Sequence, residues 1–583
     1  MRIFGHFTNL DLGIHPTSLH LVENGLGPSL GLMGATVATN HFLHHVLRHG
    51  GFEEYHLYFP QACLASRPSL RADLLGLHQD DERIKLCAIE DFHWHATRDA
   101  YHVLHRPGGP QIADWLYMRD QFARAATPVT GVTHTISCQS MLKDLALTIL
   151  ANPKPWDSII CTTRSAHQVI TNLLKHVEEG LQERFSSTIR YEGRIDTIPL
   201  GVDTELYRPR DKDEVRRQLQ LPQDAIILLY FGRLSPYYKA DLGPLLIAFK
   251  EALKGLPLNL LQRAKLLIAG DDTQHSYCEK LKQFSESLNI SEHVIMRPSP
   301  AVALGPLYYS ASDVFVCPSD NIQETFGQVL IEALSSGLPV VCSDWDGFRD
   351  LVINGETGFR IPTYWSDFDT RLCNNAPASS WLFDHLFLSQ GTCVDVDVMA
   401  AAIRTLLLSA ETRRTMGDRA RQHAVDTFDW GKVIELYLAL WRELNDVARF
   451  CEKNTRSGVP SWLRPAYSRM FQSYPTHSLK DDTHVRATQA GSALLSGTAL
   501  LEDYRELAFS YKPELVHHIL KRSIYGVSIA ELEAAFTAED KLAADAVRWH
   551  ILRLLKYHYL TIVSIPGIAE TQFSCSAEFL RVP

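Results

Sequence analysis

No CxxC pair occurs among the eleven cysteines, which lie scattered from Cys63 to Cys575, and nothing has the spacing of a zinc-ligand set. A disulfide scaffold and a zinc-finger framework are excluded, and a reduced cytoplasm is the expected compartment. No window approaches the roughly 18 apolar residues of a membrane span. The opening residues, MRIFGHFTNLDLG, lack a basic stretch followed by an apolar one. The expectation is a chain made and kept in the cytosol, with membrane association at most peripheral. Excess positive charge is missing too: the formal net charge is -10, so the global balance attracts neither nucleic acid nor an anionic membrane. No nucleic-acid partner is expected.

What is present is an ordinary globular composition, 45% hydrophobic and 21% charged over 583 residues. That length exceeds one hydrophobic core and suggests about three or four domains. Short apolar runs alternate with helical patterns, the mark of βαβ units and parallel sheets. The clearest series runs AIILLYFGRL, KLLIAG, HVIM, DVFVCP and PVVCSD between residues 225 and 344, and predicts a doubly wound domain over 200–445. RIFGHF, YHLYF, KLCAI, GVTHTI, DSIICT and RIDTIPL predict a second, over 1–199. Two such α/β domains facing each other make a cleft lined by the C-terminal ends of both sheets, where ligands bind.

Residues 446–496, rich in Pro, Ser, Thr and charge, read as a connector. Over 497–583 order returns: Ser528 and Glu531 form a capping box with Val527 and Leu532 as a hydrophobic staple. A second helix presents Val547, Ile551 and Leu555, and LTIVS and FSCSAEFL flank a Pro-Gly turn. Helix, helix and hairpin predict a winged-helix-like module. Arg548, Arg553 and Lys556 would make a basic stripe, but Glu531, Glu533, Glu539, Asp540 and Asp545 surround it, so protein or peptide docking, or presentation of a carrier-bound acceptor, is expected rather than DNA binding.

A nucleotide diphosphate needs cations and backbone donors converging on one place. YFGRL delivers Arg233 to the rim of the second sheet, and Lys239 follows six residues later. Guanidinium fork and compact ammonium together suit a departing diphosphate. After DVFVCPSD comes TFGQ, Thr325 to Gln328, whose glycine permits close approach and whose helix N-terminus offers free N–H groups to an anion. Glu324 falls just before that helix and Glu332 two turns into it, placed for different tasks.

With IPLGVDTELYRP, FGRL and Lys239, LLIAGDD, ETFGQVLIE and GLPVVCSDWDGFRDLVINGETGF in view, the sequence resembles the retaining glycosyltransferases of family 4 (glycosyl transferases group 1), over residues 1–445. The resemblance implies the GT-B fold and transfer of a sugar from a nucleoside-diphosphate sugar. It implies that Arg233 and Lys239 hold the diphosphate, that Glu332 binds the ribose, that Glu324 lies against the transferred sugar, and that Phe326 and Gly327 bring amides to phosphate and sugar. GLMGATVATNHFLHHVLRHGGF resembles the family's glycine loop and first helix, with Gly34 near the phosphates, and GVTHTIS puts His134 beside the reacting carbon. Retention implies front-face attack assisted by the leaving phosphate, with Glu324 orienting rather than attacking.

Met296 and Arg297 are the expected base contacts. His93 and His95, alternating as on a strand near Glu90 and Asp91, suggest an acceptor loop. His41, His44, His45 and His49 have helical spacing, but no carboxylate or cysteine completes a metal site. Asp344-Trp345-Asp346 and Asp395-Val396-Asp397 imitate the DxD of metal-dependent transferases on another fold, and the sheet order rejects them. No metal or other cofactor is expected, since cations and helix dipole neutralise the diphosphate. A UDP-sugar is the first expectation for the donor and a GDP-sugar the second; the acceptor is not legible. Two alternatives stay open: a catalytically decayed, nucleotide-sugar-binding regulator acting through its winged helix, and a GT-B epimerase or a synthase of the glycogen or sucrose type.

Overall fold

The computed structural model describes residues 2–6, 34–66, 69–75, 80–98, 101–123, 125–138, 140–273, 276–375, 381–451, 466–501, 504, 507, 510–536 and 541–564. The chain divides into two compact units, one of residues 1–59 and 69–458, the other of 60–68 and 459–583.

The first unit holds two parallel sheets. One contains β1 (Arg2–His6), β2 (Glu54–Phe59), β3 (Ile84–Ala88), β4 (Val103–Arg106), β5 (Val129–Val132), β6 (Ser158–Cys161) and β7 (Arg194–Thr197), in the order β3-β2-β1-β4-β5-β6-β7. The other contains β8 (Ile226–Phe231), β9 (Ala264–Gly270), β10 (Val294–Pro298), β11 (Val314–Cys317), β12 (Val340–Ser343) and β13 (Gly358–Ile361), in the order β10-β9-β8-β11-β12-β13. Every neighbouring pair in both sheets is parallel. These are two doubly wound, Rossmann-like domains of the GT-B type. Sheets buried on both faces need apolar strands, and β8 and β9 supply them: IILLYF is buried at every residue but the last, and AKLLIAG at every residue but Lys265. In the second sheet the direction of winding reverses between β8 and β11, and at such a switch point a crevice opens for ligands.

The helix Trp430–Cys451 runs past the expected limit at 445 and packs on the first domain. Its buried face includes Trp430, Val433, Ile434, Tyr437, Trp441 and Leu444. Tyr437 meets Phe42 with ring centroids 4.9 Å apart, and Trp430 stacks on His45 at 5.3 Å. Trp441 Nε1 donates to Thr130 Oγ1 at 3.3 Å, and Asn445 Nδ2 to the His102 carbonyl at 2.6 Å. The amphipathic stripe therefore serves the domain that precedes it by more than two hundred residues. His45, between Trp430 and His49, is pushed down to about 3 by burial, so it stays neutral as a packing ring.

In the second unit, β16 (His484–Ala487) is the middle strand of an antiparallel sheet, β17-β16-β18, with β17 (Val527–Ser528) and β18 (Leu560–Ser564). The stretch read as a connector thus contains the central strand, because HVRA is too short and too polar to register as one. Val485, Ile519, Leu532, Val547, Ile551 and Leu560 form the core. Ser528 and Glu531 make the expected capping box at the helix Ile529–Ala534. FSCSAEFL lies outside the described residues. Two of the three residues of the basic stripe are absorbed internally: Arg548 pairs with Glu533 and Asp481, while Arg553 is buried with its guanidinium over the rings of Tyr511, Trp549 and Tyr557; Lys556 is exposed.

Candidate active site

The site grows from the end of β8. Gly270, closing β9, has φ +152°, and a Cβ there would stand 1.6 Å from the Gly232 carbonyl oxygen. Only glycine lets the two strand ends come this close. The Leu234 amide then donates to the Asp271 carbonyl at 2.8 Å, fixing the turn that carries Arg233. The Arg233 guanidinium lies over the Tyr238 ring at 5.2 Å and is half-buried. Burial pulls its pKa down and Asp271 opposes that; guanidinium stays charged at any physiological pH.

Lys239 lies in the loop before the helix Gly243–Leu253, and its Nζ donates to Glu324 Oε2 at 3.0 Å. Burial alone would raise the Glu324 pKa, but Lys239 and the backbone N–H groups of Phe326 and Thr325 outweigh it and hold the carboxyl below the usual range. Lys239 and the Phe326 amide, both expected at the phosphate, are thus held by one carboxylate together with the Thr325 amide. Asn321 organises the surrounding loop: its Nδ2 donates to the Tyr237 carbonyl at 3.0 Å, and its Oδ1 accepts from the Gln323 amide at 3.0 Å.

Thr325 joins the two domains. Its Oγ1 donates to the His134 carbonyl at 2.6 Å, while its own carbonyl accepts from Thr163 Oγ1 at 3.0 Å. Thr163 caps the helix Arg164–Phe185, so one side chain ends a helix and ties the cleft. Gly327 precedes the helix Gln328–Ser335, which has no side-chain N-cap bond. Its φ is +101°, and a Cβ would come within 2.5 Å of the Phe348 ring. Phe326 is buried in the core beneath it.

His134 is half-buried after β5, with Nε2 2.7 Å from the Pro107 carbonyl, just past β4. That contact makes Nε2 the N–H nitrogen and fixes the ring. Glu332 does not face solvent: it is buried, Tyr309 donates to its Oε2 at 2.8 Å, and Tyr207 adds a second hydrogen bond. Burial pushes it up to about 7. Met296 and Arg297 lie half-buried on β10. Gly34 is the first residue of the helix Gly34–His49; residues 7–33 before it lie outside the described ones.

His93 and His95 do not alternate on a strand. They sit on the helix Phe92–Arg98, two positions apart and so on different sides. His93 Nδ1 is 3.0 Å from the Glu90 carbonyl, and His95 Nδ1 is 2.5 Å from the Tyr58 hydroxyl. His95 also falls in a group with His56 and Cys87 whose potential metal-ligand atoms lie within 4.8 Å of one another, a set the sequence could not reveal because β2, β3 and a helix each supply one member. Both His56 nitrogens are engaged, Nδ1 with Tyr101 and Nε2 with Glu54, each at 3.0 Å.

The acidic triplets have local explanations. Asp395 caps the helix Val396–Leu408, and Asp344 pairs with Arg349 and Arg360. Asp346 is different: φ is +44° and its buried Oδ2 has no hydrogen-bond partner among the described residues. Burial, and then the nearby Glu324 charge, raise it well above the usual carboxylate range. Sequence reasoning missed Asn321, Thr163, Tyr207, Tyr309 and the environment of Asp346; only the polar run SDNIQ carried any signal.

Residues 211–372 match the family model described as glycosyl transferases group 1. The chain is 26% identical over 405 residues to a D-inositol 3-phosphate glycosyltransferase of Geodermatophilus obscurus, covering 67% of this chain and 78% of that protein. It is 27% identical over 316 residues to another from Acidothermus cellulolyticus, covering 52% and 67%. Sucrose-phosphate synthase of Thermosynechococcus elongatus overlays with a TM-score of 0.48 at 19% identity, across 77% of this chain and 100% of that chain. Two doubly wound domains, joined across a cleft by Thr325 and carrying a glycosyl transferases group 1 match on the second, make this chain a glycosyltransferase.

Proposed function

We propose that the protein is a retaining glycosyltransferase that moves a sugar from a nucleoside-diphosphate sugar to an acceptor hydroxyl. The observation that carries this reading is the Lys239–Glu324 pair, set beside Arg233 at the switch point of the second sheet, with the N-terminus of the helix Gln328–Ser335 behind it. The Glu324 carboxylate holds the position of an anion on Lys239 and two amides. An arriving diphosphate takes over the cation, and Glu324 turns to the hydroxyls of the transferred sugar.

Breaking the anomeric C–O bond builds positive charge on the sugar and negative charge on the phosphate. Arg233, Lys239 and the helix N-terminus meet the negative charge where it grows. The acceptor oxygen forms its bond on the face the phosphate leaves, and its proton passes to a phosphate oxygen, so no strong base of the protein is required. His134, held as an N–H donor to Pro107, orients rather than abstracts. Glu332 reads the ribose, Met296 and Arg297 flank the base, and no metal is needed. UDP is the first candidate nucleotide. The second unit is a winged-helix-like accessory module that docks the carrier of the acceptor.

Thermal-shift measurement with UDP-, GDP- and ADP-sugars tests donor binding, since a ligand bound to the native state alone raises the melting temperature. NMR of the sugar released or transferred then reads the anomer. Stabilisation by one donor class with retained configuration is expected; no donor stabilising the chain, or an inverted product, overturns the proposal.

A further inference from the structure

Between β13 and the helix Val396–Leu408 the chain makes an excursion. It leaves through β14 (Thr363–Tyr364) and returns through β15 (Cys393–Val394), which pair antiparallel. The helix Trp381–Gln390 within it is tied to both sides of the cleft: Gln390 Nε2 donates to Asp241 Oδ2 at 3.0 Å, two residues past Lys239, and His385 Nε2 lies 3.4 Å from the carbonyl of Ser137, three residues past His134.

A row of rings leads out along this excursion. Trp345 stacks on Trp365 with centroids 5.4 Å apart and planes 21° apart; Phe368 follows at 5.6 Å, Phe387 at 5.8 Å and Phe383 at 6.3 Å. The inner end is anchored, since Trp345 Nε1 donates to the carbonyl of Asn321 at 3.2 Å, the residue that organises the Glu324 loop. Two of the rings are not sequestered: Trp365 is 45% and Phe383 57% exposed. Trp345, Phe368 and Phe387 are half-buried, and a continuous row of rings that opens to solvent at two points, on a protein with well-buried cores, marks a binding surface. At the inner end stands Asp346, with its unsatisfied buried Oδ2.

An unmet hydrogen-bonding atom at the reaction centre, followed by flat apolar rings, matches a sugar chain. Pyranose hydroxyls project from the edge of the ring and its C–H groups from the faces, which lie on aromatic rings through dispersion and apolar burial. Charge narrows the class. Residues 362–395 contain Asp367, Asp369, Asp384 and Asp395 against Arg371 alone, which disfavours an anionic acceptor or an anionic lipid surface.

We propose that the Trp345–Trp365–Phe368–Phe387–Phe383 face is the acceptor subsite and that the acceptor is a neutral glycan chain, its reacting hydroxyl at Asp346 and its preceding sugars on the rings. This rests on the transferase reading above and deepens it.

The test uses the full chain and three probes, maltotetraose, chitotetraose and D-inositol 3-phosphate, with saturation-transfer NMR and titration for affinity. One neutral tetrasaccharide is expected to bind more tightly than its monosaccharide and than the inositol phosphate. Trp365→Ala is expected to weaken it about tenfold, the loss of roughly one ring contact, and Trp365→Phe to recover part of that. Circular dichroism checks folding of both variants. Absence of saccharide binding, affinity indifferent to chain length or to Trp365→Ala, or tighter binding of inositol phosphate overturns the proposal. So does Trp365→Ala abolishing a dimer in sedimentation, or binding to phosphatidylcholine vesicles, while saccharide affinity stays the same. Wild-type donor hydrolysis, measured without acceptor, tests the transferase reading separately, because saccharide binding is read without any donor.

Discussion

Lys239 Nζ donates to Glu324 Oε2 at 3.0 Å across 85 residues of sequence. The lysine side chain is 34% and the glutamate 10% exposed, so the carboxylate is the buried partner of the pair. Lys239 helps to keep the Glu324 carboxylate ionised, and removing one partner does not simply subtract a surface contact.

Lys239→Ala removes the donor cation and strands a buried carboxylate whose pKa then rises with its desolvation. Turnover is expected to fall about 10²- to 10³-fold, as for the loss of one group that meets developing charge. Glu324→Gln leaves Lys239 free for phosphate, so donor affinity is expected to hold or rise while turnover falls. Steady-state kinetics separate the two outcomes. A Glu324→Gln enzyme with full turnover would contradict the sugar-contacting role.

Glu332 makes stability depend on pH. Its folded pKa is raised to about 7 from 4.5, so the native state binds a proton that the unfolded chain has lost. The stabilisation is complete below about pH 4.5 and disappears as pH rises through 7, on the order of 3 kcal/mol in total. Denaturant unfolding from pH 5 to 8 is expected to show stability falling with pH in that window, and the slope to flatten in Glu332→Gln. An unchanged slope would mean the carboxyl is not held neutral by burial.

Arg119 and Asp157 are both buried and joined by a charge-assisted hydrogen bond, and the same carboxylate accepts from the Val129 and Lys154 amides. Arg119→Leu leaves that carboxylate without its cation inside the first sheet domain and is expected to cost about 3 to 5 kcal/mol. Urea unfolding reads it; a loss under about 1 kcal/mol would show that the amides alone suffice.

Gly327→Ala sets a methyl 2.5 Å from the Phe348 ring at φ +101°. Overpacking costs about 1 to 3 kcal/mol, and the left-handed backbone adds about 1 kcal/mol. The variant is expected to melt lower and to bind donor more weakly, since the helix start moves with the glycine.

How much of this was legible varied with the kind of signal. β8, β9, β11 and β12 are apolar runs that need no context, whereas β4 and β13 were not read as strands: VLHR and GFRI are four residues each and half polar or glycine. β4 is held by its partners, including His105 Nδ1 at 2.9 Å from Thr130 Oγ1. Arg233, Lys239, Thr325 and Glu324 were readable because loops after strands deliver them to one edge. Their mutual pairing was not, because an ion pair spanning 85 residues leaves no local pattern. The same holds for the tyrosines on Glu332, the return of the helix Trp430–Cys451 to the first domain, and the aromatic face on the excursion, where rings from separate segments meet only in the fold. His93 and His95 misled because a two-residue spacing looks like a strand when the surrounding helix is only about two turns long.

Chelation is a simple check on charge neutralisation. If Arg233, Lys239 and the helix N-terminus neutralise the diphosphate as proposed, turnover persists in excess EDTA. Complete loss restored by manganese would place a metal at the phosphates instead.

The most direct measurement is release of nucleoside diphosphate from the stabilising donor by Arg233→Ala and Lys239→Ala enzymes whose circular dichroism and melting show a native fold. Turnover is expected to be reduced at least about a hundredfold in each, with the donor-induced melting shift diminished. A natively folded variant of either kind that turns over donor at the wild-type rate would contradict it.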